Sequence, residues 1–560
     1  MSNFDSNGNY NKTNWKAGDK ITADKLNKIE DSLEAINNND IARYQETDSR
    51  LEALEDTLES DKQEMNIKIE ALEDTLESDK QEMNIVKVEL ESFNEQLEQK
   101  ADLNSLYYLN VKDFGVKGDG ITDDTEKIQE LFNYIRDNDI SSTVFFPSGE
   151  YLISEKISIN KSNVIIKGEK DKTIIKSSTY HETFSFDNTL KYEHITFCDL
   201  NFEGLLSNEG QGFIKFNGAI NVSAYNCSFK NCGGAAIANT KGDVLENFYC
   251  FNNIFVNTNE AGLLLRPVRN IYIHDNYFEG INGYSSSEPA HPIYIRADGA
   301  NNLNCLENVY VYNNIIRNCN LEDYSGKHAI KVVVNSTQSG MDYRGFNINV
   351  YGNNISSWTV GIHLGGIING LVNNNDLRLE STLNSNALLF ERCEQVEIKN
   401  NYIDCVYGNV YNCGISISSS SDIAFENNTI NYKGYNCLKI VDERNLSNLR
   451  NYSICNNIIN GQSNASDRYG IVLSGVVNNI DIINNTISHD VRCIHLGTST
   501  VDNFKIINNV FTHKTNEIGT SGVGVSKSSA TLSNFVQAGN TFIDFGTPNS
   551  TENDISIRLQ

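Results

Sequence analysis

An all-β, right-handed parallel β-helix is the fold that this sequence of 560 residues predicts, and three observations predict it. A phrase recurs after residue 195: apolar, any, apolar, two polar, Asn, any, apolar. It reads Ile271-Tyr-Ile-His-Asp-Asn276-Tyr-Phe, Val309-Tyr-Val-Tyr-Asn-Asn314-Ile-Ile and Val396-Glu-Ile-Lys-Asn-Asn401-Tyr-Ile. Its anchors fall at Leu200, Cys227, Asn253, Asn276, Asn314, Asn354, Asn375, Asn401, Asn428, Asn457, Asn485, Asn509 and Asn540, a period characteristic of a solenoid. The apolar residues alternate with polar ones and are mostly Ile, Val and Phe, which is strand-like. A second short phrase precedes most anchors (Gly262-Leu-Leu-Leu, Pro292-Ile-Tyr-Ile, Ala329-Ile-Lys-Val, Gly361-Ile-His-Leu). Each repeat therefore holds roughly three strands, with Asn stacked at one corner where left-handed backbone is tolerated. Parallel crossovers are right-handed almost without exception. Only five Pro interrupt the chain, as a sheet of paired strands requires.

The elements follow in chain order. Residues 1–45 contain Asn14-Trp-Lys-Ala-Gly-Asp-Lys-Ile-Thr-Ala-Asp-Lys-Leu-Asn-Lys-Ile-Glu30, where Thr22 caps a helix and Ile21 staples onto Leu26. This block resembles the N-terminal segment of tail-fibre and baseplate proteins in phages of Gram-positive bacteria, a resemblance that implies attachment to a phage baseplate or tail. Residues 46–106 read as a coiled-coil stalk. Glu52–Ile67 repeats letter for letter as Glu70–Ile85, with Leu51, Leu54, Leu58, Met65, Ile69, Leu72, Leu76 and Met83 forming a narrow apolar seam. At about 1.5 Å per residue the stalk would be roughly 80 Å long. Residues 107–153 form the N-terminal cap of the solenoid. There Val111-Lys-Asp-Phe-Gly-Val-Lys-Gly-Asp-Gly-Ile-Thr-Asp-Asp-Thr-Glu126 precedes an apolar stripe of Ile128, Leu131, Phe132 and Ile135. Thr122 is the expected N-cap, and Asp119, Asp123 and Asp124 are read as capping and turn residues rather than as an active site. This cap resembles that of the pectate-lyase-like superfamily, as found in phage tailspikes and polysaccharide depolymerases; the resemblance implies a trimer. Residues 154–545 are the β-helix and 546–560 a C-terminal tail too short for a large trimer domain. Either the stalk trimerises the chain or a chaperone segment has been removed.

Composition narrows the function. A net charge of −27 disfavours a nucleic-acid partner. The N-terminus is polar and no apolar run approaches 18 residues, so neither a signal peptide nor membrane insertion is expected. The 12 Cys show no metal-type spacing and read as buried thiols of a protein assembled in a reducing cytoplasm.

Stacked coils lie about 4.8 Å apart, so residues remote in sequence become neighbours. If the apolar residues of the second phrase point inward, the intervening ones face solvent in a row: Ala238, Leu264, Tyr294, Lys331, His363, Leu389, Ser416, Lys439, Val472 and His495. Arg266, Arg296 and Glu391 lie one strand step on, with Asp298 just beyond and insertions around Gly283–Ala290 and Ser336–Tyr343 beside them. Such a row is a groove candidate. The expected catalytic residues are Glu260, Asp298, His363 and Glu391; the expected substrate-binding residues are Arg266, Tyr294, Arg296, Lys331 and Trp358. A hydrolase would pair carboxylates drawn from these and Glu279 or Glu288. A lyase would use His363, Tyr294 or Lys331 as base and an Arg to neutralise a uronate. No cofactor or metal is expected, with a divalent cation such as calcium left open. The 26 Tyr suit either sugar stacking or structural ladders, the latter favoured. The reading is a virion tailspike, a homotrimer that binds and degrades a host surface polysaccharide or teichoic acid. A receptor-binding fibre without catalysis and a secreted bacterial polysaccharide lyase are the alternatives.

Overall fold

A computed structural model describes residues 107–543, with Lys28 and Asp31, apart from Tyr180 and the stretches 187–190, 207–209, 211, 241–242, 282–290, 299–305, 318–327, 336–343, 357–359, 380–385, 406–412, 434–435, 443–448, 463–468, 490–491, 514–522 and 528–530. The expected stalk, the N-terminal attachment segment, both insertions, Trp358 and the C-terminal tail lie outside the described residues. The chain divides into two units, residues 1–105 and Leu106–Gln560; the second is a parallel β-solenoid of about 12 turns.

Three ladders of parallel strands build it. One is the 16-stranded sheet; the other two make up the 28-stranded sheet and merge where Tyr469–Ile483 and Arg492–Ile507 run unbroken through a corner. The period-two alternation predicted from sequence is seen in Val268–His274, where Ile271 and Ile273 are fully buried and the residues between them are not. Phe202, Phe229, Phe255 and Phe278 repeat at the same core position. Their rings stack at centroid separations of 4.9, 4.9 and 4.6 Å. Each such pair adds about 0.5–1.5 kcal/mol beyond burial.

The Asn corner is a continuous hydrogen-bonded ladder. Asn401 is 1 % exposed. Its Nδ2 donates to Val372 O (2.9 Å) and to Asn428 Oδ1 (3.0 Å), and its Oδ1 accepts from Asn375 N (3.0 Å). The residue before each anchor takes the left-handed conformation that releases the chain into the next strand (φ 53° at Asn313, 53° at Asn374, 54° at Asn400). One anchor is corrected. The ladder passes through Asn353, which accepts from Asn314 N (3.0 Å), and not through Asn354. Gly352 (φ 64°) holds the left-handed position there, so the pair that looked like the usual Asn-Asn is offset by one. A second ladder, at Asn247, Asn270, Asn308 and Asn347, lies six residues before each anchor, every member at positive φ and bonded to the next at 2.8 Å.

The helix Thr125–Asp137 buries Ile128, Leu131, Phe132 and Ile135 completely. Its N-cap is Asp124, not Thr122. The reason is the preceding turn: Asp119 Oδ1 accepts from Ile121 N and Thr122 N, which ties Thr122 into that turn instead. Asp124 accepts from Lys117 N and Gly118 N, and Asp123 from Thr125 N. All three carboxylates therefore serve turn and cap.

Candidate functional site

The register aligns the outward row as the sequence predicts. Ala238, Leu264, Tyr294, Lys331, His363, Leu389, Ser416, Lys439, Val472 and His495 are consecutive partners on one ladder. Arg296, Val333, Gly365, Glu391 and Ser418 form the next column. The expected exposure is corrected, because His363, Ala238 and Leu264 are buried. Side chains on coils so closely spaced cover one another, and Ala235, Ala238, Ala261 and Leu264 pack into a separate apolar patch against Tyr294.

A third column on the same face was not legible from strict alternation. At the start of each strand Gly262, Pro292, Ala329 and Gly361 precede an inward apolar residue. A Cβ at Gly262 would meet Phe278 at 2.6 Å, and Ala329 belongs to the main core. Two successive inward positions turn the residue before them outward. His291 and His328 thereby join the site: the His291 ring lies 4.7 Å from Tyr294 and 5.0 Å from His328, and His328 lies 4.8 Å from His363. The repeated small residue ahead of each strand was the signal that marked this kink.

Three adjacent coils thus bring together His291, Tyr294, Arg296, His328, Lys331 and His363, with Glu391 on the next. His363 Nε2 lies 3.1 Å from Glu391 Oε2. Burial pushes the His363 imidazole below its ordinary range, and the hydrogen bond from His363 holds the Glu391 carboxyl below its own. The pair is therefore a neutral imidazole donating Nε2–H to a carboxylate, which leaves Nδ1 as the lone pair. That atom is buried and has no hydrogen-bond partner among the described residues. Lys331 Nζ sits 5.2 Å from the Tyr294 ring centroid, and Arg296 Nη1 donates to Tyr294 Oη (3.3 Å). Burial lowers the Lys331 pKa, opposed next by Glu391 and aided, more weakly, by Arg296.

The remaining expected residues sit as follows. Arg266 follows the strand position of Leu265, level with Arg296, and its Nε is buried without a partner among the described residues. The backbone of Asp298 pairs with Asn335, beyond Arg296 on the same strand; its side chain is outside the described set. Glu260 precedes Ala261 and lies four coils, about 19 Å, from Glu391. Glu279 is on the 16-stranded face, where its carboxylate accepts from Tyr277 Oη. Glu391 is consequently the one carboxylate placed on His363 among the described residues, and no group of three or more His, Cys, Asp or Glu there is arranged to hold a metal. A recess of about 270 Å³ lined by Asn374, Asp376, Arg378 and Tyr402 lies on the 16-stranded face, away from this cluster; its carboxylate, Asp376, is paired with Arg378.

Two aromatic ladders run on the remaining face: Tyr249, Tyr272 and Tyr310 (5.0 Å apart), and Tyr225, Phe251, His274, Tyr312 and Tyr351 (4.6–5.2 Å). Ring faces are consumed within each stack, leaving edges and hydroxyls outward. This arrangement suits a structural role better than sugar stacking.

Residues 108–382 match the family model described as rhamnogalacturonase A/epimerase, pectate lyase-like. Plasmin and fibronectin-binding protein A of Streptococcus pneumoniae is 30% identical over 151 residues, 25% of this chain and 20% of that protein. Alginate lyase 7 of Azotobacter vinelandii is 46% identical over 74 residues, 12% of this chain and 8% of that protein. The chain thus spans a fifth or less of these curated relatives. Among solved structures, an N-terminal fragment of bacteriophage phi29 gene product 12 is similar at a TM-score of 0.49, with 15% identity over 80% of this chain and 73% of that one. A tailspike protein of E. coli bacteriophage HK620, in complex with pentasaccharide, is similar at 0.47, with 13% identity over 76% and 80%.

Proposed function

We propose that this chain is a phage tailspike whose solenoid binds an anionic host-surface glycopolymer and cleaves it by proton abstraction beside a uronate carboxylate. One observation carries the cleavage reading: Tyr294, Arg296, Lys331 and His363 converge on adjacent coils with, among the described residues, one carboxylate, Glu391, already engaged by His363. Paired-carboxylate hydrolysis needs two free carboxyl groups about 5–9.5 Å apart. Proton abstraction needs a base, a cation to neutralise the substrate carboxylate, and an acid for the leaving oxygen.

His363 has Nε2–H committed to Glu391 and Nδ1 buried, so it orients rather than abstracts. Lys331, with its lowered pKa, is the base. Arg296 and Arg266 neutralise the carboxylate. The electron pair of the broken C5–H bond forms the C4–C5 double bond as the C4–O bond breaks, and Tyr294 returns a proton to the departing oxygen. The description of the matched family and the name of the alginate lyase relative agree with sugar-acid chemistry. The virion role rests on residues 14–30 and the stalk pattern at 46–100, which also favour a trimer and a Gram-positive host.

Incubation with anionic wall and capsular polymers tests this. Unsaturated-sugar absorbance is the expected product signal. Reducing ends without absorbance would indicate hydrolysis, glycerol phosphate release would indicate teichoic acid cleavage, and binding without any product would leave a receptor-binding fibre.

A further inference from the structure

We infer that the same face carries a second glycan-binding subsite, centred on Tyr469, Arg492 and His495, which grips the polymer five coils beyond His363; the inference rests on the glycan reading above. His495 occupies the same column as His363, reached through Leu389, Ser416, Lys439 and Val472. The third column, that of His291 and His328, continues here as well. Tyr469 pairs with Arg492 there, and its ring stacks on His495 at 4.2 Å and 11°. His328 likewise contacts His363 one coil on, at 4.8 Å. The Arg492 guanidinium lies 5.6 Å from the Tyr469 ring centroid and donates to Tyr469 Oη at 3.2 Å, as Arg296 does to Tyr294. A tyrosine, a guanidinium and an imidazole therefore meet at both places on this face, with tyrosine and arginine on one strand in the first and on neighbouring coils in the second.

The two clusters differ where chemistry would need them alike. His495 Nδ1 is hydrogen-bonded to Ser526 Oγ (2.9 Å), not to a carboxylate. The second cluster can hold an acidic sugar through Arg492 and stack on it, and among the described residues it shows no counterpart of the His363–Glu391 pair. Between them, among the described residues of these two columns, Ser416, Ser418 and Val441 are short, and Leu389 and the cation of Lys439 are the longer side chains next to Glu391. Five coils span about 24 Å. An extended glycan advances by about one coil spacing per sugar, so roughly six residues reach from one cluster to the other.

Titration of size-fractionated oligouronates against the intact protein tests the subsite. Affinity should step up by about 10-fold or more once the oligomer is long enough to bridge both clusters. Arg492→Gln should abolish that step while short oligomers bind as before, and Lys439→Gln should reduce it. Thermal unfolding confirms that each variant is folded. A step that persists in Arg492→Gln, or affinity independent of length in the unaltered protein, overturns the subsite alone. Absence of binding at every length overturns the glycan reading and the subsite with it.

Discussion

At the residue scale the site depends on which proton sits where. With Glu391 accepting from His363, the imidazole is fixed as a donor and Lys331 is left to act. Lys331→Met should lower cleavage by about 100-fold or more with binding retained, the range expected when a general base is removed. His363→Ala and Glu391→Gln should each lower it sharply without loss of folding, checked by turnover and circular dichroism; unchanged rates would remove both from the site. The pH profile carries a sign. A lysine base acts only when neutral, so cleavage should rise with pH and level off below the ordinary lysine range of about 10.4. Glu391 opposes the lowering of the Lys331 pKa. Its replacement by Gln should therefore move that rising limb to lower pH, and a limb moving upward would exclude Lys331 as the base.

At the element scale the Asn corner ladder stabilises the rod because its amides from Asn253 to Asn509 are buried and hydrogen-bonded to the next coil. Asn401→Ala leaves Val372 O and Asn375 N–H without the partners they now have. A loss of about 2–4 kcal/mol in chemical denaturation is expected. Asn400→Gly, at an exposed left-handed position where glycine costs little, should change it by well under about 1 kcal/mol.

The same strands show how far sequence alone reached. The row from Tyr294 to His495 follows from alternation, and the register matches it residue for residue. His291 and His328 did not, because a small inward residue breaks period two at each strand start and a simple count turns them into the core. The repeat phrase points to Asn354 rather than Asn353 because the second Asn of a pair usually forms the ladder, whereas here Gly352 takes the left-handed position one residue earlier. The spacing from Asn347 would have corrected it, since every anchor follows a positive-φ residue by six.

At the scale of the whole molecule, a chain of net charge −27 sets Arg296 and Lys331 on adjacent coils of one face, a local site of positive charge. Binding to an anionic polymer should weaken as salt rises from about 0.05 to 0.5 M, more steeply than for a neutral glycan of equal length; equal salt dependence would show that the cations do not meet the ligand. The solenoid was legible because its repeat is written in the sequence. The pairing of side chains across coils was not, since it depends on a register that sequence fixes only to within a residue. The direct measurement is a crystal structure with a bound acidic oligosaccharide. The sugar carboxylate should lie against Arg296 with Lys331 near the C5 hydrogen, and density extending toward Arg492. Density on the aromatic-ladder face or in the Asn374–Tyr402 recess, with the His363 face empty, would contradict it.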